Sequence, residues 1–164
     1  MKIALGVVGL ATLGAVFGFA RDSRAVGRTV NGTICHGATA ADDARLGRSQ
    51  YGVGNADGSN VANVICPLEN LASDEITSAV AIVYDRHSSQ DITCTLYRLL
   101  GSGEVDITYP PDSDTTSGSG AGTKVLSMSL PDPSPIVPYN YIVACSLPPI
   151  GSGGYSHIAS IGFD

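Results

Sequence analysis

The chain has 164 residues, 15 acidic and 9 basic, with a formal net charge of −6, 43% hydrophobic residues and no tryptophan. From residue 49 onward the balance is three basic residues against twelve acidic ones, which excludes the basic face that a phosphate backbone requires and with it a nucleic-acid partner. Length and apolar content suffice for one domain, and the acidic balance by itself argues only for solubility.

The N-terminus reads as an export signal. Lys2 gives a positive start, residues 3–19 form an uncharged run rich in Ala, Gly, Val and Leu, and Gly18 and Ala20 are small residues at the positions a signal peptidase reads. Cleavage is expected after Ala20. The competing reading is a retained anchor, because the run approaches the roughly 18 apolar residues that span a bilayer, with Arg21 and Arg24 following it. No second apolar segment of that length exists, so the mature chain is expected to be secreted or periplasmic, with no stable membrane insertion.

Residues 21–34 (RDSRAVGRTVNGTI) start polar and end strand-like, an N-terminal arm or edge strand. Asn31-Gly32-Thr33 is formally a glycosylation acceptor and equally a turn; the turn is the simpler reading. Residues 38–46 are the one stretch of helical composition. A short strand at 49–53 and a turn-forming run at 55–60 (NADGSN) follow. In residues 61–68, Ala62, Val64, Cys66 and Leu68 share one face, with Pro67 marking the end. Residues 76–84 (ITSAVAIVY) are apolar on both faces and read as a central strand packed on both sides, with Ile76, Val80, Ile82 and Tyr84 in phase. Residues 85–90 then turn the chain, most simply as a hairpin, into residues 91–98 (DITCTLYR), where Ile92, Cys94 and Leu96 alternate with polar neighbours.

Residues 101–123 read as a long loop of Gly, Ser, Thr and Asp. Alternation resumes over 124–130, and prolines at 131, 133, 135 and 138 stiffen a crossing segment. In residues 139–147 (YNYIVACSL), Tyr139, Tyr141, Val143, Cys145 and Leu147 occupy one face. After a glycine turn at 151–154, residues 155–163 supply the last strand, with Tyr155, His157, Ala159, Ile161 and Phe163 in phase. Short strands separated by Gly/Pro turns predict an all-β chain, a single antiparallel β-sandwich of about seven or eight strands, immunoglobulin-like or jelly-roll.

Four cysteines remain after cleavage, and an even count in an exported chain reads as two disulfides. Three pairings are open. Cys35 with Cys66 and Cys94 with Cys145 is favoured, because the last two lie in the best strands, and each bond is worth about 4 kcal/mol on the loop-entropy argument. Metal binding is disfavoured: no Cys-x-x-Cys occurs, and His36, His87 and His157 are scattered.

The segments Val64-Ile65-Cys66-Pro67-Leu68, Val83-Tyr84-Asp85-Arg86, Thr93-Cys94-Thr95-Leu96 and Tyr141 through Pro148 give the chain from about Cys35 onward a likeness. In them it resembles a loose group of uncharacterised secreted bacterial proteins with a disulfide-bonded β domain. That resemblance implies an exported sandwich and supplies no active site to transfer.

Candidate sites are few. Hydrolytic chemistry needs a nucleophile beside a base. Ser152 in Gly151-Ser152-Gly153-Gly154 is similar to the glycine-flanked serine of trypsin-like proteases, but the preceding Asp is missing, and His157 reads as a half-buried strand residue. Calcium is the one cofactor with candidate ligands, at Asp112, Asp114 and Asp106, or at Asn55, Asp57 and Asn60. Neither stretch completes the twelve-residue calcium loop, and Asp in turns accounts for both. For a glycan, Tyr84, Tyr139, Tyr141 and Tyr155 are in phase with core positions, leaving Tyr51, Tyr97 and Tyr109 as outward rings, with Tyr97 the leading ligand candidate. The sequence thus leads to a non-enzymatic extracellular structural or binding module without a resident cofactor, whose partners are an extracellular protein, a glycan or other copies of itself. In a second reading, a subunit of a surface fibre or coat, residues 21–34 add as a strand to a neighbour's sheet.

Overall fold

The computed structural model describes residues 27–68, 76–105, 110–117, 122–131 and 139–164. The export signal at 1–20, residues 21–26 of the arm, Asp106, Tyr109 and the prolines at 133, 135 and 138 lie outside the described residues.

Eleven strands are described: β1 Arg28–Asn31, β2 His36–Gly37, β3 Leu46–Ser49, β4 Gly52–Asn55, β5 Ala62–Leu68, β6 Ser78–Asp85, β7 Thr93–Leu99, β8 Asp112–Thr115, β9 Gly122–Ser129, β10 Asn140–Leu147 and β11 His157–Phe163. They form two antiparallel sheets. The first runs β3-β4-β11-β6-β9, with β1 beside β11, and the second runs β2-β5-β10-β7-β8. The pairs β7·β8, β6·β9, β5·β10 and β4·β11 are nested about the β7–β8 connection. One long hairpin of eight strands is therefore rolled up so that its successive nested pairs alternate between sheets, which is the jelly-roll topology. That count meets the expected seven or eight; β1, β2 and β3 are short additions at the margins.

The core lies between the sheets. Leu96, Val143 and Leu147 of the second sheet face Ala81, Val83, Leu126, Ile158 and Ile161 of the first, each larger side chain stabilising by about 1.5–3 kcal/mol on burial. Cys94 stands directly opposite Cys145, with Cα atoms 4.1 Å apart, and is bonded to it; Cys35, just before β2, is bonded to Cys66 in β5. Both disulfides staple the second sheet and its margin. Arg98, in phase with Cys94 and Leu96, is 1% exposed, and its guanidinium lies 4.2 Å over the Tyr139 ring.

Several local expectations change in three dimensions. β6 is central in its sheet but buries only one face, the one with Ala79, Ala81 and Val83; Ile82 on the other is 37% exposed, because no third layer covers it among the described residues. The 85–90 segment is no hairpin: β6 and β7 belong to different sheets, so it crosses between them. The supposed loop at 101–123 contains β8. The helical stretch is one turn, α1 Ala40–Asp43, whose N-cap Thr39 accepts the Asp42 N–H. Asn31 caps a 3₁₀ turn at Gly32–Ile34, as a turn residue should. β1, placed by the sequence in an arm free to pair with a neighbour, pairs with β11 of its own chain, Val30 opposite Ile161. A strand exchange would have to displace it.

The two sheets are tied at one corner by a buried carboxylate. Asp85, at the end of β6, accepts the Thr116 hydroxyl, the Ser156 hydroxyl at 3.2 Å and the His87 N–H at 3.0 Å. Thr116 in turn accepts the Ile92 N–H at 2.9 Å, and Ser156 accepts the Arg86 N–H at 2.9 Å. Asp85, Thr116 and Ser156 are all buried. Removing the carboxylate leaves three donors without an acceptor at about 1 kcal/mol or more each. Asp85→Ala should therefore lower the unfolding free energy by about 3 kcal/mol in chemical denaturation. A loss under about 1 kcal/mol would show that this corner does not hold the sheets together.

Candidate ligand-binding face

The outer surface of the first sheet carries an aromatic recess of about 360 Å³ lined by Tyr51, Tyr84, Arg86, Tyr155 and His157. Tyr51 reaches it because Ser49 pairs with Gly52, leaving Gln50 and Tyr51 as a two-residue turn between β3 and β4. Gly52 has φ +132°, and a Cβ there would stand 1.9 Å from the Ile158 carbonyl oxygen, so only glycine lets this hairpin lie on β11. Tyr84 projects outward from β6, opposite His157 of β11, which is opposite Gly54 of β4. The imidazole stacks on the Tyr84 ring with centroids 4.7 Å apart and planes 10° from parallel. The Tyr155 ring is tilted against the same imidazole at 6.0 Å. It has room because position 54 lacks a side chain: a Cβ there would meet the Tyr155 ring at 2.7 Å. Tyr51 and Tyr155 are 69% and 46% exposed, so their rings are open to solvent while Tyr84 and His157 form the floor of the recess.

In the sequence Tyr84 reads in phase with the core because both faces of β6 are apolar, and Tyr155 because the phase of β11 is interrupted. The β6 pairing shifts register between Ile158 and Ser160, a bulge at Ala159. One extra residue reverses the alternation, so Ile158 and Ile161, three apart, both enter the core. His157 and Tyr155 are turned outward with respect to the phase of Ile161 and Phe163.

His157 Nδ1 is buried without a hydrogen bond of good geometry. Burial holds the imidazole pKa below its ordinary value, the Arg86 cation adds to the depression and the Tyr155 backbone offsets part of it. Arg86 is held by its own N–H on Ser156 and by Nη1, which donates to the Gly153 carbonyl at 3.2 Å.

The other candidates are placed as follows. Tyr97 lies on the opposite surface of the molecule, in a shallow groove of about 420 Å³ on the second sheet with Asn63, Ile65, Thr95, Val105 and Ile142. Ser152 sits exposed in the glycine turn, and no hydrogen bond joins it to His157. His87 is a turn residue whose Nδ1 accepts the Ser89 and Gln90 N–H groups. The calcium candidates are occupied by protein donors. Asp57 accepts the Ser59 and Asn60 N–H groups at 2.7 and 2.8 Å, and buried Asn55 donates to the Asn60, Leu147 and Pro148 carbonyls. Asp112 and Asp114 accept the Ser129 and Ser127 N–H groups of β9, each at 2.8 Å. Among the described residues no three His, Cys, Asp or Glu side chains come together as a metal site.

No family model and no curated protein matches the chain. Among solved structures, a xylan-binding module of family CBM15 is similar with a TM-score of 0.49 and 9% identity, over 83% of this chain and 95% of that one. A family 6 carbohydrate-binding module is similar with a TM-score of 0.41 and 11% identity, over 84% and 92%. Neither likeness reaches a TM-score of 0.5, and neither carries an argument about this chain's ligand.

The depressed His157 pKa sets a pH dependence. The folded chain binds fewer protons than the unfolded one just below the ordinary histidine value of 6.5, so stability is intact above that pH and falls as pH drops through the interval beneath it. A second loss follows below the ordinary aspartate value of 3.8. Asp42 is held below it by the Thr39 hydroxyl and the Asn63 N–H, and Asp57 by the Ser59 and Asn60 N–H groups. Melting temperatures measured from pH 8 to 3 should show both steps. His157→Gln should remove the upper step alone; an upper step that survives the substitution would assign it to another group.

Proposed function

We propose that the chain is a secreted, non-enzymatic binding module and that the recess of Tyr51, Tyr84, Tyr155 and His157 holds a glycan. The observation that carries this reading is the clustering of two exposed tyrosine rings over a stacked Tyr84–His157 floor. Tyrosine combines an apolar face, which suits the C–H face of a pyranose, with a hydroxyl that suits its polar edge, and a recess of a few hundred cubic ångströms accommodates one or two sugar units. Gly52, Gly54 and the β11 bulge place the backbone that carries Tyr51, Tyr155 and His157 around the recess, and the Tyr84–His157 stack supplies its floor. Export is supported by two disulfides in a four-cysteine chain.

Affinity electrophoresis and calorimetry against a panel of cell-wall and extracellular polysaccharides test the proposal. Tyr51→Ala and Tyr155→Ala should each weaken binding about three- to tenfold, and together more, with an unchanged melting temperature because both rings are exposed. Retention of full affinity in the double variant would remove the site from this recess. Tyr97→Ala, on the opposite sheet, should leave binding at the recess unaltered.

A further inference from the structure

Arg86 gives the recess a cation without a carboxylate partner. Two arginines elsewhere in the chain are ion-paired by contrast: Arg45 with Asp42 at 3.2 Å and Arg48 with Asp43 at 2.8 Å. No ion pair forms at Arg86 among the described residues, although the chain carries an excess of six negative charges. Its neighbour in sequence, Asp85, points the other way, into the core, where its oxygens are engaged by Thr116, Ser156 and His87. The residue is nevertheless well placed: its N–H is fixed on Ser156, and one guanidinium nitrogen is fixed on the Gly153 carbonyl. A guanidinium carries five N–H donors, and among the described residues the Gly153 carbonyl accepts from one of its nitrogens. An exposed arginine with spare donors, tethered at one nitrogen and lining an aromatic recess, suits the planar fork of a carboxylate.

We infer that the glycan is acidic: its recognised unit is a uronic acid whose carboxylate pairs with Arg86 while its ring rests against Tyr51 and Tyr155. This rests on the reading of the recess as a glycan site and adds the class of sugar. The outward positions of the first sheet next to the recess support it. Val80, Ile82, Ser160, Gly162, Thr123 and Val125 pair across β11, β6 and β9 and present no carboxylate. Repulsion from the acidic residues in the loops is screened within about 8 Å at physiological salt, so the local pairing decides.

The test uses the oxidised, mature protein and three probes: oligogalacturonate, oligoglucuronate and oligomannuronate, each beside its carboxyl-reduced, neutral counterpart. At least one acidic probe should bind about tenfold or more tighter than its reduced form, with affinity falling as salt rises from 0.05 to 0.5 M. Arg86→Gln should abolish that difference and its salt dependence, Arg86→Lys should keep part of both, and the melting temperature of each variant reports whether the fold survives. Equal affinity for acidic and reduced forms, or an Arg86→Gln variant that still discriminates, overturns the inference. So does tighter binding of sulfated oligosaccharides than of all three uronates. Failure of the broader reading looks different: if the Tyr51→Ala/Tyr155→Ala variant binds every probe as well as the wild type, the recess is no glycan site. If that variant loses the reduced probes while Arg86→Gln changes nothing, only the uronate assignment falls.

Discussion

The carboxylate of Asp85 is where the two sheets, the crossing segment and the recess meet. A charged group with 1% exposure persists only if its lone pairs are satisfied. Its three donors come from separate places in the chain, Thr116 after β8, Ser156 before β11 and His87 in the crossing, and Thr116 in turn accepts the Ile92 N–H before β7. The aromatic recess depends on this corner. Ser156, held by Asp85, fixes the Arg86 backbone and sets the path of the chain between Tyr155 and His157. A polar tie inside the core thus orients two aromatic groups and a cation on the surface.

The open margin of the sandwich is managed by a different device. β8 and β9 end their respective sheets and lie side by side in different layers. The outward N–H groups of β9 would present a template for another chain. Asp112 and Asp114 of β8 reach across and accept the N–H groups of Ser129 and Ser127. Two carboxylates therefore stand in for the carbonyls of a missing strand, closing the edge while keeping it charged. The acidic run that resembled a cation site in sequence is a seam between the sheets.

Most of the framework was legible because alternation with one buried face is unambiguous in β5, β7 and β10, where Cys66, Cys94 and Cys145 fall in phase with aliphatic neighbours. The same period extends to Arg98, whose burial follows from its place two residues after Leu96. Alternation was uninformative in β6, where both faces are apolar and only the partner sheet decides that Ala79, Ala81 and Val83 are covered while Ile82 is not. It misled in β11, because a bulge at Ala159 has no sequence mark beyond a small residue. That single insertion explains why Tyr155 and His157 read in phase with Ile161 and Phe163 and the recess was missed. Of its rings only Tyr51, at the tip of a hairpin, was readable as outward. The crossing at 85–90 was hidden for a related reason: a short polar segment between two strands serves a hairpin and a sheet-to-sheet corner equally well, and the choice is made by Asp85 reaching for residues some thirty and seventy positions away.

The nested topology also orders assembly in time. The innermost pair, β7 with β8, closes the shortest loop, and each pair outward closes a longer one, until Val53 meets Ile158. Loop-closure entropy makes the outermost contact the hardest to form unless the inner pairs have already brought its strands together. The tyrosine recess straddles that outermost pair, with Tyr51 beside β4 and Tyr155 and His157 at β11. A chain arrested with its inner strands paired and its disulfides closed would have no recess at all, so this surface exists only on molecules whose outermost strand pair has closed.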